Sequence, residues 1–241
     1  MKILVVDIET APNLAYVWGL FDQNIGINML KTPVEVLCVA AKWLGEKDVM
    51  FFRNWQLVEV WDLLDQADVV VHYNGVRFDL PHLNREFLQL GLTPPSPFKQ
   101  IDLLRVVKQR FEFPSNKLAY VSKALGIGLK AETGGFETWV ACLNGDEKAW
   151  AKMEKYNRQD VVITEKLYRK LLPWIAGHPS RRLYDGGTLD QCPTCGGKHL
   201  VKRGLAYTNL SKFQRFHCTD CGSYFRSSLR EAGVRIQPAV L

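Results

Sequence analysis

Nowhere in its 241 residues does this chain string together anything near the ~20 apolar residues that a bilayer-spanning helix requires, so no membrane segment is expected. Internal repeats and low-complexity blocks are absent too, which excludes solenoid and fibrous architectures. The first apolar stretch is interrupted by Asp7 and Glu9, and no small-residue cleavage site follows, which argues against a secretion leader. The expected location is the cytoplasm, or the host cytoplasm if the protein is viral. Cysteine is scarce and unevenly used. Four of the six form two CxxC pairs near the C-terminus, whereas Cys38 and Cys142 stand alone among apolar residues and read as inert buried thiols. Acid is sparse at the same end. Residues 1–176 balance 21 Lys/Arg against 21 Asp/Glu, while residues 177–241 hold 10 Lys/Arg and 4 Asp/Glu and so carry the whole net charge of +6. A basic end beside a neutral body points to a polyanionic partner.

What is present fits an ordinary globular protein. The chain is 47% hydrophobic and 23% charged, and it is long enough to bury one substantial core plus a small satellite. Residues 2–8 read as a buried strand, with further strands over 34–44 and 48–53. Helical periodicity follows over 56–66, then a short buried strand at 68–72 and a helix over 80–90. That order predicts an α/β fold with a mixed sheet flanked by helices. Residues 100–111 resume with a strand or helix, residues 117–125 form a helix closed by Gly126, and residues 147–172 form one long amphipathic helix ended by Pro173. The inner side of that helix is expected to carry Trp150, Met153, Tyr156, Val161, Thr164, Leu167, Tyr168 and Leu171. The expected division is a body over 1–174, a Gly/Pro-rich linker over 175–190, a cysteine module over 191–228 and a loose tail over 229–241.

Four acids and a tyrosine carry the chemistry. Asp7 and Glu9 lie two apart on the first strand and point the same way, while Ile8 points into the opposite layer. Asp79, in Asn74–Asp79, opens a helix just after a strand. Tyr156 and Asp160 are four apart and share one helical face. The fold class lets all four acids meet at one sheet edge, where their mutual repulsion favours two hard divalent ions, Mg²⁺ or Mn²⁺. Individually each residue has a plainer role open to it: Asp79 as an N-cap, Tyr156 as a core aromatic, Asp160 as a surface partner of Arg158 or Lys155. Asp102 reads as an N-cap more readily than as a fifth acid, and His72 and His82 read as structural.

Taken as a set and in this order, these residues resemble the DEDD exonuclease superfamily, which is DnaQ-like with a ribonuclease H-like fold, in its tyrosine-containing DEDDy branch. The stretch from Lys117 through Gly126 and Trp139 to Tyr156 is similar to exonucleases related to B-family polymerase proofreading domains and to YprB-like proteins. Lys155 stands where the histidine-containing branch would place its histidine. The resemblance covers roughly residues 1–172. It implies that Asp7 bridges two metals, Glu9 and Asp160 complete the coordination of the first metal, Asp79 holds the second metal partly through water and Tyr156 orients the attacking water. The implied reaction is stepwise 3′-to-5′ release of nucleoside monophosphates. Thr10 is expected at the 3′ end; Asn74 and Phe78 suit the terminal nucleotide and equally suit a turn residue and a core aromatic.

Cys192 and Cys195 are separated from Cys218 and Cys221 by 22 residues, and each pair is followed by glycine. Four such thiolates suit one tetrahedral structural Zn²⁺, and the module resembles a zinc ribbon with a β-hairpin between its knuckles. His199 and His217 are substitute ligands only. Four thiolates and Zn²⁺ sum to about −2, which leaves the module basic. Lys202, Arg203, Lys212, Arg215 and Arg226, interleaved with Tyr207, Phe213, Phe216, Tyr224 and Phe225, suit phosphate contact and base stacking. Phe216 and Phe225 equally suit the ribbon's own filling. The expected activity is a metal-dependent 3′–5′ exonuclease acting on DNA, or RNA, with the ribbon holding nucleic acid or contacting replication or repair proteins. A structure-selective endonuclease on the same fold and a non-catalytic nucleic-acid-binding scaffold stay open as alternatives.

Overall fold

Alternation between two apolar layers organises the first unit of the chain. The structure, a computed structural model, describes residues 1–129, 134–188 and 190–234. Its elements are, in order, β1 (Ile3–Thr10), β2 (Leu14–Ala15), β3 (Leu30–Thr32), β4 (Val36–Trp43), β5 (Met50–Arg53), α1 (Leu57–Asp65), β6 (Val69–His72), α2 (Asp79–Gln89), β7 (Lys99–Asp102), α3 (Leu103–Arg110), α4 (Leu118–Ala124), α5 (Phe136–Leu143) and α6 (Glu147–Leu171). A five-stranded sheet has the order β5-β4-β1-β6-β7. β4 runs antiparallel to β1 and β5, whereas β6 is parallel to β1 and β7. The expected mixed α/β sheet is therefore what forms.

The parity of β1 places its residues. Leu4, Val6 and Ile8 pack in one cluster with Val60, Leu64, Leu83 and Phe87 of α1 and α2. Residues of odd number face the other layer. There, Leu37 and Cys38 of β4 pack with Trp150 and Met153 of α6 and with Cys142 of α5. β6 is buried throughout because strands flank it on both edges and helices cover both faces. Of the α6 positions expected to face inward, all but the half-buried Tyr156 are buried. Asn157, Asp160 and Glu165 are buried as well, and Lys42 closes an ion pair onto Glu165.

Two parts of this unit differ from the sequence expectation. α5 is a separate helix, and the excursion between β1 and β4 closes as a small β2–β3 ladder. That excursion leaves Trp18, Leu20, Phe21 and Ile27 exposed. Of the stretch 117–139, residues 130–133 lie outside the described residues.

Compactness divides the chain at Tyr168: Lys2–Leu167 form one unit, and Met1 joins Tyr168 onward in the other. The second unit contains β8 (Leu200–Tyr207), β9 (Ser211–Cys218) and β10 (Tyr224–Gly233), in the order β10-β9-β8. β8 and β9 form the hairpin expected between the knuckles. β10 continues beyond residue 228, because Arg230, Ala232 and Gly233 stay paired to β9. Residues 229–233 are thus strand rather than loose tail, and residues 235–241 lie outside the described residues. The segment read as a linker is tied down. Arg181 donates its backbone N–H to Pro193 O at 2.7 Å and its Nη1 to Cys195 O at 3.3 Å. Residue 189 of that segment also lies outside the described residues. Among the described residues, no helix is long and apolar enough to cross a membrane.

Candidate metal centres

β1 delivers the first two acids. Asp7 and Glu9 share the face toward α6, and Asp160 rises from that helix to meet them. One carboxylate oxygen from each of the three lies within 4.8 Å of the others. Asp160 is 1% exposed, so this is a partly desolvated acidic cluster rather than a solvated face. Unneutralised carboxylates this close repel strongly, and an oxygen donor set of this kind fits hard divalent cations such as Mg²⁺ or Mn²⁺. Its anchor is Asn157, one turn before Val161 on α6. Asn157 Nδ2 donates to Asp7 Oδ2 at 2.8 Å and to Asp7 O at 3.3 Å.

Asp79 is not in that trio. It opens α2 on the far side of β1, and its Oδ1 accepts from Ile8 N at 3.1 Å, between the two strand acids. Burial pushes its carboxyl up to about 7, against the downward pull of backbone N–H donors including that of Ile8. Tyr156 is half-buried, its ring edge-on to Trp139 at 6.2 Å between centroids. Thr10 lines a shallow hollow of about 450 Å³ with Ala11, Pro12, Gly135, Phe136 and Trp139.

A family model described as the RNase_H superfamily matches residues 4–172. The chain belongs to the ribonuclease H superfamily. The match covers well over half the chain and spans every acid of the cluster. Among solved structures, the chain is similar to the family B DNA polymerase from the hyperthermophilic archaeon Pyrobaculum calidifontis, with a TM-score of 0.55 and 20% identity. That likeness covers 71% of this chain and 24% of the polymerase, and it speaks for the fold. No curated protein matches this chain.

Within this ribonuclease H-like fold the remaining predicted residues take mixed roles. Asn74 adopts φ +72° and donates its backbone N–H to Asp102 Oδ1 at 3.0 Å, so it is a turn residue. Phe78 is 38% exposed, with its ring edge-on to His82 at 4.9 Å. Asp102 caps α3, accepting from Leu104 N at 3.0 Å, as its sequence position implied. His72 is buried; its Nδ1 accepts from Gly75 N at 3.0 Å, and burial lowers it to about 4, so it stays neutral. Asn157 is the residue that sequence reasoning missed. The available signal was its helical spacing from Met153 and Asp160, which places a polar amide on the inner stripe.

The four module cysteines form the second centre. Cys192 Sγ lies 3.8 Å from Cys221 Sγ, and Cys195 Sγ lies 3.7 Å from Cys218 Sγ. Sulfurs bound tetrahedrally at ~2.3 Å sit about 3.8 Å apart, so these thiols fit Zn²⁺ closely. The two knuckles repeat one backbone design. Gly196 N donates to Cys192 O and Gly222 N to Cys218 O, both at 2.9 Å. In return Cys192 N donates to Gly197 O and Cys218 N to Ser223 O. Gly196 and Gly222 hold φ of +81° and +78°, which is why glycine follows each pair. The histidines are engaged elsewhere: His199 Nδ1 lies 2.6 Å from Asp220 Oδ1, and His217 stacks on Tyr224.

Proposed function

We propose that this chain is a metal-dependent 3′–5′ exonuclease of the DEDDy type, acting on DNA in preference to RNA, with a zinc ribbon that assists nucleic-acid binding. The observation that carries the reading is the meeting of Asp7, Glu9 and Asp160, with Asp79 bonded to the amide between the first two. Two divalent ions held by Asp7, Glu9, Asp79 and Asp160 would supply charge stabilisation for the attacking and leaving oxygens of a phosphodiester. Asn157 keeps the Asp7 carboxylate aimed into the cluster. Tyr156, one turn before Asp160, offers a hydroxyl to orient the attacking water. The hollow beside Thr10 has the size for one terminal nucleoside, with Phe136 and Trp139 as ring partners. Asn74 shapes the turn that delivers Phe78 and Asp79. The preference for DNA draws on the family B DNA polymerase likeness. Zn²⁺ on Cys192, Cys195, Cys218 and Cys221 is structural in this reading. The proposed working division is an exonuclease body, the tied segment over 175–190 and the ribbon.

The test is Asp7→Ala with a 3′-labelled strand and Mg²⁺ or Mn²⁺. The variant should fold as wild type and lose hydrolysis. Digestion at the wild-type rate overturns the reading. A circular single strand separates the reaction types, since an exonuclease leaves it uncut and an endonuclease opens it.

A further inference from the structure

The two faces of the ribbon sheet are chemically different. Residues paired directly across antiparallel strands share a face. Val201, His217 and Tyr224 form one such row, and Arg215 pairs with Arg226 in the next row on the same face. Phe213 completes that face, two residues before Arg215, with the Arg226 guanidinium 3.8 Å from its ring centroid. His217 and Tyr224 stack with centroids 4.5 Å apart at 25°, and Tyr224 remains 60% exposed. Lys202, Phe216 and Phe225 form a row on the opposite face. There Phe216 and Phe225 stack at 5.6 Å, and Arg182 lies 5.5 Å over Phe225. Those aromatics are spent on the ribbon's own packing.

We infer that the face bearing Phe213, Arg215, His217, Tyr224 and Arg226 is a platform for one strand of single-stranded nucleic acid; this rests on the nucleic-acid reading above. Side chains on one face of a strand recur every ~6.8 Å, and neighbouring strands lie ~4.8 Å apart. Rings and guanidinium groups therefore alternate within reach of successive nucleotides. The three strands carry six Lys/Arg and a single acid, Glu231. The exposed side of Tyr224, away from His217, needs an unstacked base, which a single strand offers and a duplex does not. The paired guanidinium groups supply phosphate contacts, and neither group of residues reads base identity, so the platform is sequence-tolerant.

The experiment is fluorescence anisotropy of the full-length zinc-loaded chain with a 5′-fluorescein 20-mer, as DNA and as RNA, without Mg²⁺ or Mn²⁺. Tyr224→Ala with Arg226→Ala should weaken binding about tenfold or more. Each lost phosphate contact should flatten the log-affinity against log-salt slope by about 0.7. Lys47→Ala, an exposed cation outside the ribbon, should lose less than about threefold. Tyr224→Leu, which keeps apolar bulk and removes the ring, should reproduce the stacking part of the loss. Zinc content equal to wild type verifies folding. Unchanged affinity in the double variant, an equal loss from Lys47→Ala, or a duplex bound as tightly as the strand each overturns the platform. Because no cutting occurs in this assay, a wild-type chain that binds the strand but never hydrolyses it with Mn²⁺ sinks the nuclease reading alone.

Discussion

Asn157 grips Asp7 twice, donating from one amide nitrogen to both the carboxylate and the backbone carbonyl of a residue 150 positions earlier. The amide is buried and uncharged, so it orients an acid without neutralising it or adding to the repulsion. Asn157→Ala removes both of these bonds and with them part of what orients Asp7. Orienting partners of metal ligands are worth roughly tenfold to a hundredfold in metal affinity. Calorimetric titration with Mn²⁺ should show a loss of that size, and stability should fall by about 1–3 kcal/mol for the two hydrogen bonds lost. Wild-type Mn²⁺ affinity in this variant would remove the positioning role.

Two buried groups flanking the turn between β6 and α2 should work against each other in pH. His72 titrates at about 4 in the folded chain, lowered by burial. Unfolded, it takes a proton near 6.5, so its contribution is complete above that value and is lost as pH falls through 4. Asp79 titrates at about 7, raised by burial. Unfolded, it ionises near 3.9, so its contribution is complete below that value and is lost as pH rises through 7. Each shift corresponds to a few kcal/mol, on the order of 3, with opposite sign. In buffer free of Mg²⁺ and Mn²⁺, the wild type should therefore vary little between pH 4 and 6.5 on account of this pair. Asp79→Asn removes one side, and denaturant unfolding should show that variant gaining stability steeply with pH over the same window. Parallel pH profiles for the two proteins would refute the opposition.

Gly75 permits the turn that joins β6 to α2. A Cβ there would lie 2.4 Å from His72 Cγ and 2.7 Å from its Nδ1. The neighbours are a buried ring and its own hydrogen bond, so nothing nearby can yield cheaply. Gly75→Ala should cost at least ~2 kcal/mol of stability and should shift the start of α2, which carries Asp79. Thermal unfolding and Mn²⁺ titration on one preparation check both; a variant as stable as wild type would show the turn to be loose.

The sheet, the parity of Asp7 and Glu9 and the inner stripe of α6 were legible because each depends on a local period, two for strands and 3.6 for helices. Both CxxC–Gly knuckles were legible because a short motif contains its own turn chemistry. Asn157 was legible only as an inward-facing amide, because its partner is distant and helical spacing does not say what the amide will grip. Asp79 was legible as the helix start but not as a carboxyl held apart from the other acids, since its bond to Ile8 depends on how closely α2 approaches β1. How firmly the segment 175–190 is held was not legible for a related reason: Gly177, Pro179 and Gly186 mark irregular backbone, and irregular backbone can still be fastened, as Arg181 is to Pro193 and Cys195. β10 outran its expected end because cross-strand pairing to β9, not its own composition, sustains it.

Zinc removal should unfold the ribbon selectively. Within β8, β9 and β10 the only buried residue is Cys218, so this sheet has almost no apolar core of its own. Burial pushes the Cys195 thiol well above the usual cysteine range, with neighbouring thiols adding to the rise, so its thiolate persists there only beside a cation. Metal binding and folding are then a single event for this module. Metal analysis should find one zinc per chain, released in full by a mercurial reagent. Cys218→Ser should lose that zinc. In hydrogen exchange, the amides of β8–β10 should lose protection in both cases, while those of β1, β4 and β6, which lie in a different unit with its own buried clusters, should keep theirs. If β8–β10 stayed protected without zinc, hairpin pairing and the Phe216–Phe225 stack would have to hold the ribbon unaided, and the metal would have no structural role.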